Sequence, residues 1–488
     1  MRIKAIEIRD YKAFLGTHKI LVGGKNLFIY GENGSGKSSL YYALKDFFQG
    51  SMEDINLPSL ENVFVKGFDT DGHTCKTQIK VTFKPNKDGG ARQAHYLFNT
   101  GINDTRAEAD TSIRDGNKLK SFLTYKHLLD IHNLKQADTI NLFDLLVKGV
   151  LRHFKFPLTH GEELYTLFEN IQELLSKDTG RQYNLTQKKS DVNRAVRTFN
   201  TAFKALFEPG SPEDIHVHAR PILQKFGHEV DFTLKFSQIT PVADYKSLVG
   251  DVVSAELSYA GRVVTKPHMF LNEARLSAVA ISVYLGMIKR HPQQIAYKIL
   301  FLDDVFIGLD ISNRMPLLKI LDEDFDDYQV FITTYDKPWF ELAKGYLQQS
   351  GTWNTLELYA GYNRAGYSTP LIMGGDLLAK ARSHLHNRDY KSAAVYTRSA
   401  FEEYLRKACV KQRKELRFKP KLKDYSSEDF WTAIKDELEA PLVSNIELYR
   451  SLVLNPFSHY NSEKHEIRTE LENAIEAVTQ LKAALNAL

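Results

Sequence analysis

The chain opens on short alternations. Ile6 and Ile8 bracket Glu7, Arg9 follows, and an apolar run at Ile20, Leu21 and Val22 comes after a turn. A period of two predicts half-buried strands at both places. Residues 26–30 (Asn-Leu-Phe-Ile-Tyr) are a denser apolar run that enters a glycine-rich turn, and Leu40, Ala43, Leu44, Phe47 and Phe48 then recur at helical spacing. The local order is therefore strand, glycine loop, helix. Further strands are expected over residues 78–83 and 94–98. From Leu142 the pattern turns helical, through Phe143, Leu145, Leu146, Val150 and Leu151, followed by two polar helices over 162–175 and 190–207. No heptad repeat is sustained, so any arm is short. Pro209 and Gly210-Ser211-Pro212 break the helices, and strands return over 230–236 and 252–259. A helix over 271–290 leads to an apolar strand over 298–302, and a short helix separates this from another strand over 329–334. Residues 362–375 are rich in glycine and read as a linker. Beyond it, Ala393, Ala394, Thr397, Phe401, Leu405 and Ala408 form one helical stripe. Ile467, Leu471, Ile475, Val478, Leu481 and Leu485 form another, which predicts a small all-α bundle.

Composition narrows the class. A chain of 488 residues exceeds one ordinary core, so roughly two to four domains are expected. With 43% hydrophobic and 25% charged residues it has ordinary globular composition. Two cysteines, Cys75 and Cys409, do not make a disulfide framework, and a reducing cytoplasm is the expected location. The first residues lack the apolar segment of a signal peptide, and no apolar run is long enough to span a bilayer. The net charge of +4 does not by itself imply nucleic-acid binding.

The glycine loop carries the sharpest chemistry. Gly31-Glu32-Asn33-Gly34-Ser35-Gly36-Lys37-Ser38 fits G-x-x-x-x-G-K-[ST] in full, and Ser39 follows. Glycines let backbone N–H groups turn inward around phosphate oxygens, and the following helix start adds its positive end. Lys37 is expected to reach the β- and γ-phosphates of ATP, and the Ser38 hydroxyl to ligate Mg²⁺. A second signal lies far along the chain, where residues 299–302 are apolar and end in Asp303-Asp304. A buried strand delivers carboxylates at its carboxyl end, beside the loop's phosphates. Asp303 would hold Mg²⁺ and Asp304 would polarise the attacking water; the pair capping the next helix is the plainer alternative.

These motifs resemble ABC-type ATPases in their SMC and RecF branch. Gly308-Leu309-Asp310 looks like the D-loop, and Leu271-Asn272-Glu273-Ala274-Arg275-Leu276-Ser277 looks like the signature motif. Asp10-Tyr11-Lys12-Ala13-Phe14 is similar to the N-terminal motif whose basic residue, here Lys12, lies near the nucleotide. The resemblance implies a site completed only when two heads close, with Asn272, Glu273, Ala274, Arg275 and Asp310 acting on the partner's nucleotide. It implies an α/β fold: an ABC head with a mixed sheet and flanking helices, a short helical insertion and a C-terminal all-α bundle. The expected divisions are 1–141 (first half of the head), 142–260 (mainly helical insertion with returning strands), 261–365 (second half) and 366–488 (helical effector or adaptor domain). The chain departs from the family pattern at Asp304, where glutamate is usual. Tyr335 and Asp336 stand at the switch-histidine position, and Asn272 where serine is common. The signature also lacks its glycine pair. No Q-loop glutamine stands out, and residues 122–129 are where that element would fall. A slow switch fits these departures better than a motor.

The tail resembles the HEPN-like helical domains of PrrC- and RloC-type anticodon nucleases. Arg398, Glu402 and His459 match the order of their catalytic residues, although Arg450 and His459 miss the usual HEPN spacing. Arg398 and Glu402, four apart on a helix, equally read as a surface ion pair. Arg406, Lys407, Lys411, Arg413, Lys414, Arg417, Lys419, Lys421 and Lys423, near Phe418 and Tyr425, form a dense basic stretch suited to tRNA or to an acidic partner. The compact head and helical tail also resemble the ATPase subunits of Septu- and PARIS-type antiphage systems. That resemblance implies a homodimer, or a larger assembly, gating a nuclease encoded nearby. A self-contained tRNA ribonuclease and a RecF-like repair ATPase are the alternatives.

Overall fold

The computed structural model describes the chain except residues 69, 71, 85–94, 125–140, 157–160, 182, 291–294, 364, 375–376, 387, 417–425 and 455–467. The chain divides into two compact units, Met1–Met373 and Gly374–Leu488.

In the first unit the strands run β1 (Ile3–Tyr11), β2 (Phe14–Leu21), β3 (Asn26–Gly31), β4 (Gln78–Phe83), β5 (His95–Asn99) and β6 (Phe122–Thr124). They continue as β7 (Val230–Ser237), β8 (Thr240–Pro241), β9 (Leu248–Val249), β10 (Val252–Tyr259) and β11 (Arg262–Val264). The last four are β12 (Ile299–Asp303), β13 (Gln329–Thr334), β14 (Trp353–Tyr362) and β15 (Ser368–Gly374). A six-stranded sheet has the order β15-β14-β3-β13-β12-β6 and is parallel from β14 to β6. An antiparallel sheet of order β2-β1-β4-β5 accompanies it, and β11-β10-β7 form a third.

The central strands explain the apolar runs. Every residue of β3, β12 and β13 is buried, as parallel strands covered on both faces require. Alternate side chains enter two different cores. Leu27 and Ile29 of β3, with Ile299 and Phe301 of β12, pack against Leu40, Leu44, Phe47 and Phe48 of the helix Lys37–Gln49. Phe28, Leu300, Leu302, Val330 and Ile332 face the other core, which includes Ala280, Tyr284 and Met287 of the helix Glu273–Arg290. The inserted helices Leu164–Ser176 and Leu185–Lys204 place Phe168, Phe199 and Phe203 in that same core.

The glycine-rich stretch 362–375 corrects the linker expectation. β14 runs beside β3, β15 is the edge strand next to it, and the expected break at 365/366 falls inside this hairpin. Its polar and glycine residues serve the turn: Gly366 has φ +84, and Asn363 Oδ1 accepts hydrogen bonds from the Ala365 and Tyr367 amides at 3.0 and 2.9 Å. Pro370 is tolerated because an edge strand need not donate on its outer side.

The second unit contains the helices Leu377–His386, Tyr390–Lys411, Ser427–Ile434, Ala440–Tyr449 and Arg468–Ala487. Phe401, Leu405, Trp431, Ile446, Ile475, Val478 and Leu481 make its core. Asp389 caps the second helix by accepting from the Ser392 amide at 3.1 Å, and Ser426 with Asp429 forms a capping box on the third. Among the described residues, no helix is long and apolar enough to cross a membrane. Cys75 and Cys409 are both free thiols.

Candidate functional site

Sheet order, not sequence distance, assembles the site. β3 ends at Gly31, β12 at Asp303 and β13 at Thr334, and the three run side by side in one direction. Their carboxyl ends therefore share one edge, with the loop 31–38 turning into the helix Lys37–Gln49 there. Two glycines are sterically required. A Cβ on Gly31 would lie 2.4 Å from Ser35 Oγ and 2.7 Å from Lys37 Cγ. Gly36 has φ +95, and a Cβ there would meet Pro370 Cγ at 2.6 Å. Pro370 thus packs the edge strand β15 against the loop, a role hidden in the sequence by the glycine content around it.

Lys37 Nζ donates to the Gly31 and Glu32 carbonyls at 2.6 and 3.2 Å and lies 3.8 Å from Asp304 Oδ2. Ser38 Oγ donates to Asp303 Oδ2 at 3.2 Å. The acids are oriented by a residue that the sequence did not single out. Thr333 Oγ1 donates to Asp303 Oδ1 at 2.6 Å and accepts from the Asp304 amide at 2.9 Å. The only hint was a pair of threonines closing an apolar strand, which is ordinary β-strand composition. Asp304 sits in the left-handed region at φ 53 and makes no side-chain cap to the short helix Val305–Gly308, so the helix-capping alternative does not describe it. Its Oδ1 is buried without a hydrogen-bond partner, as is Ser35 Oγ. Unpaired buried acceptors of this kind fit an incoming donor, water or ion.

Electrostatics separate the two acids. Burial raises the Asp303 carboxyl above its ordinary value, with the Thr333 and Ser38 hydrogen bonds and Lys37 pulling the other way. Asp304 is pushed up to about 6 by burial; Lys37 opposes this and Asp303 adds to it. Between roughly pH 4 and 6 the folded chain therefore binds a proton that the unfolded chain releases. Stability falls as pH rises through that window, and the full cost, on the order of 3 kcal/mol, is felt at neutral pH. In nucleotide-free, metal-free protein, Asp304→Asn should raise the thermal midpoint at pH 7.5 by at least twice the gain at pH 4.5. Equal gains at both pH values would show that burial of this charge is not what costs stability.

The N-terminal motif forms a turn beside the loop. Asp10 and Lys12 both have positive φ, at 49 and 47, and Asp10 Oδ1 accepts from the Gly16 amide at 2.7 Å. The Ala13 amide reaches Ser39 Oγ at 3.3 Å, which ties the turn to the helix start. Lys12 Nζ lies 4.1 Å from the centre of the Tyr42 ring. The exposed Gly34 and Asn33 complete the loop's outer edge.

The segment 271–277, expected from the sequence to be a signature motif, stands apart. Asn272 Oδ1 accepts from the Arg275 amide at 3.0 Å, which starts the helix Glu273–Arg290. The Arg275 guanidinium lies 4.7 Å from the Tyr259 ring centre. Asn272 and Glu273 are exposed and Ala274 is buried. Asp310 caps the helix Ile311–Glu323, accepting from the Asn313 amide at 3.1 Å and from Ser312 Oγ at 2.8 Å. Among the described residues, no hydrogen bond or ion pair joins Asn272, Glu273, Ala274, Arg275 or Asp310 to the loop of the same chain. Tyr335, expected from the sequence at the switch position, is 45% exposed. Burial opposes ionisation of the neighbouring Asp336, but Arg314 and the Trp339 amide outweigh it and hold this carboxyl below its ordinary value. Of residues 122–129, β6 accounts for Phe122–Thr124 and the remainder lies outside the described residues.

The description RecF/RecN/SMC N terminal domain matches residues 2–352. The chain belongs to this family. The matched span takes in the phosphate loop, the segment 271–277, the acid pair and Asp310, and membership gives this SMC/RecF-type chain an ATP-binding ABC-type ATPase head. Two crystal structures are similar to it. One is the SmcHead bound to the C-winged helix domain of ScpA, at 14% identity and a TM-score of 0.42, covering 78% of this chain and 100% of that one. The other is the Smc head domain with an extended coiled coil bound to the C-terminal domain of ScpA derived from Pyrococcus furiosus, at 15% identity and 0.42, covering 79% and 99%. No curated protein matches the chain.

In the second unit, Arg398 Nε donates to Glu402 Oε1 at 2.9 Å, and a guanidinium nitrogen reaches the Leu454 carbonyl at 3.4 Å. His459 lies outside the described residues, as do Arg417, Phe418, Lys419, Lys421, Lys423 and Tyr425. Part of the described basic stretch is neutralised: Lys407 pairs with Glu403, and Lys414 with Glu437. Among the described residues, no group of three or more His, Cys, Asp or Glu side chains forms a metal cluster.

Proposed function

We propose that the chain is an ATP-controlled switch in which two copies close on shared nucleotide and the C-terminal helical unit passes that closure to an effector. The observation that carries this reading is the convergence of Lys37, Ser38, Asp303, Asp304 and Thr333 at one sheet edge. Asn272 and Glu273 of the same chain remain exposed to solvent. Exposed Met269, Phe270, Ile307 and Ile311, at 63, 68, 40 and 62%, flank the signature and D-loop, where a second copy would cover them.

In this reading Lys37 exchanges its two carbonyl partners for the β- and γ-phosphates, while the loop amides and the helix start hold the remaining phosphate oxygens. Ser38 and Asp303 offer hard oxygen ligands suited to Mg²⁺, which neutralises phosphate charge when bound. Asp304 orients the attacking water through its unpaired oxygen, and Thr333 is a positioning residue for both acids. Asn272, Glu273, Ala274, Arg275 and Asp310 serve the partner's nucleotide, and Lys12 stands near the chain's own. An aspartate, one methylene shorter than glutamate, together with Tyr335 at the switch position, favours slow turnover.

The biological setting we propose is antiphage defence, with the chain as sensor or regulatory subunit and a separate nuclease as effector. The short insertion and the helical tail support it. An intrinsic tRNA ribonuclease and a RecF-like repair role are the alternatives. The mutual pairing of Arg398 and Glu402 does not favour the first. The second wants a basic surface on the head suited to duplex DNA.

Complementation tests the shared site. Lys37→Ala spoils a chain's own loop, and Asn272→Arg spoils only what it lends. Each alone should be inactive, but an equimolar mixture should regain roughly a quarter of the wild-type ATPase rate, because half the dimers then hold one intact composite site. A mixture as inactive as its components would refute the arrangement.

A further inference from the structure

A second cleft of about 250 Å³ opens in the first unit near the far end of the helix Lys37–Gln49. At 1.5 Å per residue, Lys45 stands about 12 Å along the helix from Lys37, away from the phosphate loop. Four cations from three segments line it: Lys45, Lys120, Lys148 and Arg152. Lys148 lies in the helical turn Leu145–Val150 and Arg152 just beyond it, past a non-helical Gly149, and both line the cleft. Lys120 follows the helix Ser112–Lys118 in a left-handed conformation, φ 47, which turns the chain back toward β6.

Glu53 is the acid in the lining, and it does not balance them. It lies 3.9 Å from Lys120 and also accepts from Gln49. Lys148 reaches outward to exposed Asp144 at 2.9 Å. Two donors in the lining are unsatisfied. Asn117 is 6% exposed, yet its Nδ2 has no partner, and Arg152 Nε is buried with none, although the guanidinium stacks on Tyr165 at 4.1 Å. Phe122, Leu123, Leu145 and Tyr284 supply apolar wall. Burial lowers the Lys120 ammonium's affinity for its proton; Glu53 opposes that, and Arg152 and Lys45 add to it. Like charges held together over a buried unpaired amide want an anion with several acceptor oxygens.

We propose that this cleft binds a small phosphate-bearing molecule of about mononucleotide size, at a site separate from the ATP site. Its volume suits a compact ligand rather than a duplex, and the mixed lining suits a charged head on a less polar body. Phosphate recognition is shared by inorganic pyrophosphate and a nucleoside monophosphate, so both serve as probes.

The experiment is calorimetric titration of each probe into full-length Lys37→Ala protein, which disables the phosphate loop. We expect saturable one-site binding of at least one probe. Adding Lys148→Met or Lys45→Met should weaken it at least tenfold. Both lysines reach solvent, so these variants should fold, and Asn117→Leu gives a second, interior test with the same expected loss. Tighter AMP than pyrophosphate assigns an organic phosphate; equal affinity assigns the phosphate alone. No binding of either probe, or binding indifferent to all three variants, overturns the proposal. So does binding of duplex DNA, but of neither small probe, that needs these lysines. Because every arm is read without Lys37, failure here leaves the ATP-dimer reading standing.

Discussion

Lys37→Ala should lose ATP binding by at least about 100-fold, measured by equilibrium titration of a fluorescent ATP analogue. Lys37 is 5% exposed and holds its ammonium between the Gly31 and Glu32 carbonyls, 3.8 Å from Asp304. That position is prepaid: the cation is already desolvated and aimed into the loop, so phosphate oxygens replace carbonyls at little added ordering cost. Truncating one partner of such a buried charged contact costs about 2–5 kcal/mol, and each 1.4 kcal/mol is tenfold in affinity. The fold itself should survive, because the apolar face of the helix Lys37–Gln49 remains packed through Leu40, Leu44, Phe47 and Phe48. Unchanged ATP affinity in folded Lys37→Ala protein would remove the basis for the site.

Asp304→Ala should behave differently. Its ATPase rate is expected to fall by about 100-fold or more, the scale of losing a positioned general base, while ATP affinity stays within a few-fold of wild type. The difference follows from geometry. Asp303, not Asp304, is hydrogen-bonded to Ser38, so the oxygens suited to Mg²⁺ survive the change. What is lost is the carboxylate with the unpaired Oδ1. Removing it also relieves the charge-burial cost, so the nucleotide-free variant should be no less stable than wild type at neutral pH. Single-turnover hydrolysis with ATP binding measured in parallel separates the two effects. A parallel loss of binding would make Asp304 a structural partner of the loop instead.

How much of this was legible depends on how local each signal is. The loop 31–38 is read directly because its glycines, Lys37 and Ser38 are contiguous and each is forced by sterics or charge. The acids were legible as an apolar strand with a charged end. Their meeting with the loop was not, because it rests on the order β3-β13-β12, which no spacing encodes. Thr333 escaped notice because threonine at a strand end is unremarkable until a sheet places it beside two carboxylates. Pro370 was obscured in the opposite way: glycine and polar residues around a tight hairpin imitate a linker. In the second unit, the charge density from Arg406 onward read as one surface, whereas the fold folds Glu437 back onto Lys414. Amphipathic stripes located the helices well there, because core-facing periodicity depends only on neighbours along one helix.

Light scattering on Asp304→Ala protein, with and without ATP and Mg²⁺, tests the shared pocket most directly. Two chains each lending half a site should give one chain's mass without nucleotide and twice that mass with it, since closure forms and hydrolysis no longer ends it. A mass that stays at one chain under saturating ATP would contradict the account.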